Sequence, residues 1–426
     1  MLIMFLIIVF FILLFVGLPI GVSLGLSSIF GIEFMGAGNL VTAGQRIFEG
    51  MNSFSLLAVP LFTFAGLLMG AGGIGKRLIG FAYSLVGHIV GGLAHVNVVT
   101  SMIFAGISGS AAADTAYESA LIMPEMVNKK YSREFTVAVT AISSTIGIII
   151  PPSIPMVVIA GILGISTGKL FLGGIVPGIL CGISQMVVSY WMAKKERVPK
   201  EETPFQIKSV WASFKHSFLA LLMPPVIMLA IMSGVVSPTE VALVAVIYAI
   251  IVGGFVYKEL TLETVKAALT ETVKTTSKVF LIVGTAALFG KLLTTAGFHT
   301  AAQNLLLSIT TNPTFMLIII MALFLVLGTF MEALSTIVLF MPVVYPIALQ
   351  VGIDPVVLSV CVVMMVAIGL VTPPEGMCLF IACDFLKVRV WDAMIKLIPF
   401  IVGMLVVIAL CVAFPILITG PASLIK

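Results

Sequence analysis

Ile146-Gly147-Ile148-Ile149-Ile150-Pro151-Pro152-Ser153-Ile154-Pro155 sits inside a hydrophobic run from Phe135 to about Leu163, and its reading decides the fold. Proline has no N–H and pushes the preceding residue out of the α region, so a double proline in a run of membrane length breaks a helix at mid-depth. The two half-helices leave carbonyls unpaired on one side and N–H groups on the other, and in hydrocarbon each needs a partner or a wet cavity. Such a break suits an ion and an anion. The device returns as Ile368-Gly369-Leu370-Val371-Thr372-Pro373-Pro374-Glu375-Gly376-Met377, where Gly369 and Pro373 both lie 222 residues after Gly147 and Pro151. A repeated broken helix makes a transporter the leading reading.

Composition agrees. The 426 residues are 60% hydrophobic and 9% charged, with a mean hydropathy of +1.25, so the chain reads as an all-α polytopic membrane protein. Its net charge of +4 calls for no nucleic-acid partner, because the Lys and Arg residues sit in short loops between apolar runs, where they set membrane orientation. The N-terminus, Met1-Leu2-Ile3-Met4-Phe5-Leu6, has no basic n-region and reads as a retained first helix. Cys181, Cys361, Cys378, Cys383 and Cys411 lie in apolar segments without CxxC spacing, which predicts buried free thiols.

Apolar windows predict helices near 1–17, 19–35, 54–71, 84–107, 115–127, 133–165 (broken) and 169–192. After a hydrophilic linker, 193–216, they predict helices near 217–234, 239–257, 279–296, 313–328, 331–350, 355–385 (broken) and 391–417. Further correspondences join the halves: Pro19 with Pro238 (offset 219), Ala71-Gly72 with Ala296-Gly297 (225), Gly109 with Gly328 (219), and Pro124 with Pro342 (218). This pattern implies an internal duplication. Ser108-Gly109-Ser110-Ala111-Ala112-Ala113-Asp114-Thr115 is too polar to face lipid and reads as the tip of a re-entrant hairpin. Each half then makes five crossings, and the second is inverted. With this topology 17 of the 22 Lys and Arg share one face, the cytoplasm, while Arg46, Lys169 and Lys426 lie opposite. Residues 1–192 form the first inverted repeat, with scaffold helices 1–35 and transport elements 54–192. Residues 217–426 form the second, with scaffold helices 217–257, an interfacial helix 258–278 suggested by Leu262, Val265, Leu269 and Val273, and transport elements 279–426. The stretch from Gly38 to Asn52 reads as a second interfacial segment.

An alkali cation binds where unwound carbonyls meet hydroxyls. In the first half Ser108, Ser110 and Asp114 face Ser143, Ser144 and Gly147; in the second, Gly328, Thr329, Glu332 and Ser335 face Gly369 and Thr372. Small residues at such places also serve close helix packing. Asp114, Glu332 and Glu375 are acids at predicted mid-depth, which marks them as functional candidates. For an organic anion, the N-terminal end of a half-helix is the natural receptor, and Ser153 occupies one. Candidate substrate contacts are therefore Ser108, Ser110, Asp114, Ser153 and Glu332. His88 and His95 lie seven apart, on one predicted helical face, and read as packed histidines before a proton relay. No Walker motif is present, so energy comes from a gradient.

These motifs resemble the large membrane subunit of tripartite ATP-independent periplasmic (TRAP) transporters, of the sialic acid or C4-dicarboxylate type. The resemblance rests on Ser108 to Thr115, on Ser144-Thr145-Ile146-Gly147 through Pro155, on Pro177-Gly178 and on Ser237-Pro238-Thr239-Glu240, and it covers essentially the whole chain. It implies an elevator-type, Na+-coupled carboxylate importer in the bacterial inner membrane. It also implies two partners, a small four-helix membrane subunit, expected as a separate protein, and a soluble periplasmic substrate-binding protein. The family's sodium sites, carried here, fall on Ser110, Ser143, Ser144 and Gly147, and on Thr329, Gly369 and Thr372. A stand-alone sodium- or proton-coupled dicarboxylate transporter is the alternative. An intramembrane hydrolase using Ser108, within Gly106-Ile107-Ser108-Gly109, is a third reading that lacks a histidine on a convincing partner helix.

Overall fold

The computed structural model describes residues 1–200, 205–233 and 236–425, so the middle of the linker, the end of the helix expected near 217–234 and Lys426 lie outside the described residues. Among the described residues there is no strand, and eight helices are long and apolar enough to cross a membrane. Apolar helices can approach closely only where side chains are small. The first two, Leu2–Phe15 and Ile20–Met35, meet at Gly31, where a Cβ would lie 2.6 Å from Leu6 Cδ2, and Ser27 Oγ donates to the Leu6 carbonyl at 2.7 Å. Other hydroxyls in apolar helices are satisfied by their own backbone, as at Thr63 to Val59 O (2.8 Å) and Thr285 to Leu281 O (2.7 Å).

Three expectations change. The segment expected at 84–107 is two helices, Ile74–Val86 and Gly92–Ser108, divided at Gly87 and Gly91, the latter at φ +74°. His88 falls in that turn, so it shares no helix face with His95. The expected interfacial helix 258–278 is the first part of one 34-residue helix, Leu262–Thr295. At 1.5 Å per residue that rod is about 51 Å long against a hydrocarbon core of about 30 Å. Its charged first turns therefore need no separate element, and Leu262, Leu269 and Val273 are exposed along it. The linker is shorter than 193–216, because helices Thr167–Lys195 and Ile207–Met232 take up both of its ends. The stretch from Gly38 to Asn52 does contain a helix, Leu40–Met51, capped by Asn39.

The two halves interlock. The first broken helix runs Arg133–Ser144, a tight turn Thr145–Ile148, then Ile154–Leu163; the second runs Pro355–Gly369 and resumes at Met377–Leu386. The hairpins are Gly92–Ser108 with Ala111–Leu121, and Pro313–Phe330 with Ala333–Gln350. The returning arm of each hairpin packs on the far half-helix of the other half's break: Ala111–Leu121 on Met377–Leu386, and Ala333–Gln350 on Ile154–Leu163. Both breaks and both hairpins thus share one hydrophobic core. Around this block run the long helix, which packs on Ile20–Met35, Leu40–Met51 and Ala58–Ala71, and the helix Pro238–Ile250, which packs on Ala58–Ala71.

Candidate functional site

Each hairpin tip is tied to its own broken helix by one backbone hydrogen bond. Ile154 N donates to Gly109 O at 3.5 Å in the first half, and Glu375 N donates to Thr329 O at 2.9 Å in the second. Gly109 is required where it stands: its φ is +61°, and a Cβ would lie 2.8 Å from the Pro152 carbonyl. The X-Pro bonds Pro151-Pro152 and Pro373-Pro374 are both cis.

In the first half the tip is built from its own small side chains. Ser108 Oγ accepts from Ser110 N at 3.3 Å, and Ser110 caps the returning arm by accepting from Ala113 N at 3.5 Å. One turn on, Asp114 is fully buried, and neither carboxyl oxygen has a hydrogen-bond partner among the described residues. It lies against Gly147, where a Cβ would overlap Asp114 Oδ2. Ser143 and Ser144 stand in a polar cluster that the sequence reading missed. Ser101 Oγ reaches Glu118 Oε1 at 2.6 Å and Ser144 Oγ reaches Glu118 Oε2 at 3.1 Å. Asn97 donates to Thr140 Oγ1 at 2.7 Å and accepts from Ser143 Oγ at 2.8 Å. Glu118, Asn97, Ser101 and Thr140 are all fully buried. The signal for Glu118 was present: it stands four residues after Asp114, on the same helical face.

Ser153 is drawn into its own chain. Its Oγ donates to Ile148 O at 2.6 Å and accepts from Met156 N at 3.4 Å, so it works as the N-cap of the second half-helix and joins none of the other candidates.

In the second half the approach is between backbones. A Cβ on Gly369 would overlap the Gly328 carbonyl, its carbon only 2.6 Å away. The Thr329 and Thr372 hydroxyls donate to Val326 O and Ile368 O, each at 2.8 Å, and both side chains line a recess of about 380 Å³ walled by Leu325, Ile368, Ile398 and Ile401. Glu332 and Glu375 are half-buried. Ser335 is fully buried with no partner for its hydroxyl among the described residues.

The donors present are hydroxyl, carboxylate and carbonyl oxygens, the ligand chemistry of a hard cation. Asp114 carries the clearest fit, since a carboxyl group buried without a partner is costly unless a cation or a donor meets it. Among the described residues no histidine hydrogen-bonds Ser108, and the five cysteines are buried free thiols.

Two helices broken by double prolines, each met by a hairpin tip inside a bundle of membrane-crossing helices, define a membrane transport protein rather than an enzyme. The pattern for the DctM component of tripartite ATP-independent periplasmic transporters matches residues 7–417, and the chain belongs to that family. It is 40% identical over 376 residues to the sialic acid TRAP transporter large permease protein SiaM of Vibrio cholerae, covering 88% of this chain and 87% of that protein. It is 36% identical over 359 residues to the C4-dicarboxylate TRAP transporter large permease protein DctM of Pseudomonas aeruginosa, covering 84% of each. Among solved structures, the Alcanivorax borkumensis YdaH transporter shares the fold with a TM-score of 0.64 at 14% identity, over 92% of this chain and 90% of that one. The protein is thus a multi-pass protein of the bacterial inner membrane.

Proposed function

We propose that this chain is the membrane-crossing permease of a sodium-driven importer that takes up a carboxylate, sialic acid or a C4-dicarboxylate, handed over by a periplasmic binding protein. A small four-helix membrane subunit completes the complex. The observation that carries the reading is the pairing of each hairpin tip with a helix break, because it gathers free backbone ends and oxygen donors at two places in one packed block. Relatives named for sialic acid and C4-dicarboxylate transport support the substrate class.

Sodium supplies positive charge that offsets the cost of carrying an anion through hydrocarbon. Ser110, Ser143, Ser144 and Gly147, with Asp114 beside them, are the residues that would hold one ion; Thr329, Gly369 and Thr372 would hold another. Ser108, Ser110, Asp114 and Glu332, at or beside the tips, are the residues that would meet substrate, and Glu332 suits the hydroxyls of a polyhydroxylated acid. Ser153 serves such a site by fixing the half-helix whose N–H groups would face a carboxylate. The interlocked hairpins and breaks form a body able to move as an elevator against the helices that surround it, with one repeat inverted relative to the other.

The test is uptake of labelled N-acetylneuraminate, then a C4-dicarboxylate, into proteoliposomes holding this chain with its small subunit. Uptake should require both the binding protein and an inward sodium gradient. Uptake without the binding protein would favour a stand-alone transporter, and flux indifferent to sodium would sink the coupling.

A further inference from the structure

A crevice of about 470 Å³ opens between the start of helix Ile74–Val86 and helix Ile207–Met232, lined by Lys76, Arg77, Ser213, His216, Ser217 and Glu259. It lies apart from both helix breaks. Arg77 is held firmly there. Its Nη1 pairs with Glu259 Oε1 at 2.7 Å and donates to Gly73 O at 2.8 Å, and its guanidinium lies 3.6 Å from the centre of the Tyr257 ring. Ser217 Oγ, donating to Arg77 O at 2.8 Å, fixes the facing helix. Glu259 answers the charge of Arg77, while Lys76 pairs with no acid among the described residues. Arg77 Nε is buried with no partner, and Lys76 and His216 hydrogen-bond no described residue.

Beside the crevice, on the neighbouring face of helix Ile207–Met232, runs an aromatic strip. Phe81 and Phe214 lie 6.1 Å apart across the two helices, Phe214 stacks on Trp211 at 5.5 Å and meets Phe218 at 5.8 Å, and Trp211 and Phe218 are exposed. Lys215 Nζ stands 5.6 Å over the Trp211 ring, adding a further cation at the same level. Cations in a crevice bordered by exposed aromatic rings match an amphiphile with an anionic head and acyl tails.

We infer that this crevice is a binding site for the phosphate of an anionic phospholipid, with Lys76 and His216 at the headgroup and the exposed Phe218 and Trp211 of the strip beside it along the acyl chain. A free phosphate would meet the same donors but would make no use of the aromatic strip beside them.

The full-length chain carrying Trp191→Phe and Trp391→Phe keeps Trp211 as its one tryptophan and reports the site directly. In nanodiscs, phosphatidylglycerol brominated on its chains should quench Trp211 at a mole fraction about tenfold below that needed with brominated phosphatidylcholine. This expectation takes roughly the contribution of one or two basic side chains near a charged surface. Lys76→Gln or His216→Gln should raise the half-quenching fraction about fivefold for each charge or donor removed, Lys76→Arg should restore it, and Lys274→Gln should leave it unchanged. Thermal unfolding in pure phosphatidylcholine confirms that each variant is folded. Equal quenching by the two lipids, or a Lys274→Gln effect as large as that of Lys76→Gln, overturns the site. Protection of Trp211 by millimolar inorganic phosphate would assign the crevice to a soluble anion and overturn the lipid.

Discussion

The two halves build the same joint from different material. In the first, the contact between hairpin and break is lined with side-chain hydrogen bonds: Asn97, Ser101, Thr140, Ser143 and Ser144 surround it, with Glu118 at the centre. Carried over by the 219-residue offset of the hairpins or the 222-residue offset of the breaks, these five positions hold Met316, Ile320, Val362, Met365 and Val366, and Glu118 falls at Ile337. The second half closes the same joint with glycine on glycine. Buried polar networks fix a unique geometry at the risk of unpaired groups, while close backbone packing fixes it sterically. The two halves therefore share a backbone device and differ in what holds it together.

Substitutions that respect this difference should separate the halves. The largest effect belongs to Gly369→Ala, because the new methyl meets the Gly328 carbonyl, which cannot swing aside. Uptake should be lost and stability should fall by about 1–3 kcal/mol, the usual range for overpacking. Gly147→Ala presses only on the Asp114 carboxylate, a movable group, so its effect on thermal unfolding should be smaller. Melting curves showing equal losses would break the comparison. Next comes Glu118→Ala, which leaves Ser101 and Ser144 facing an empty acceptor position and should cost about 1–3 kcal/mol. Glu118→Gln keeps the shape and one acceptor and should lose less in a denaturation series. The smallest and most diagnostic effect is the coupling between Asn97→Ala and Ser143→Ala. A double-mutant cycle should return about 0.5–1 kcal/mol, in the range for hydrogen-bonded neighbours. A coupling near zero would show that the 2.8 Å contact between them contributes little.

Much of this was legible in the chain. The double prolines mark both breaks, Gly109 and Gly328 mark both hairpin ends, and composition alone implies a helical membrane protein. The unread part has physical causes. Glu118 escaped because a sequence shows depth only along the chain, and a carboxylate near a helix end looks exposed until another helix covers it. The division at Gly87 and Gly91 was hidden because apolar residues continue on both sides. The long helix was cut short for the opposite reason, since Lys266, Lys274 and Lys278 resemble a loop wherever a helix runs out past the bilayer. Ser153 carried an ambiguous signal, because the serine that would greet an anion at a helix start is also the serine that caps it.

That long helix has a mechanical consequence. A rod of about 51 Å cannot be hidden in a hydrocarbon slab of about 30 Å by the ordinary tilt of about 20°. It must stand proud of the membrane at one end. A bilayer that thickens or thins by a few ångströms can slide along such a rod instead of straining it, so the helix acts as a post of fixed height past which lipid moves. The parts packed against it then keep their level while the membrane around them changes.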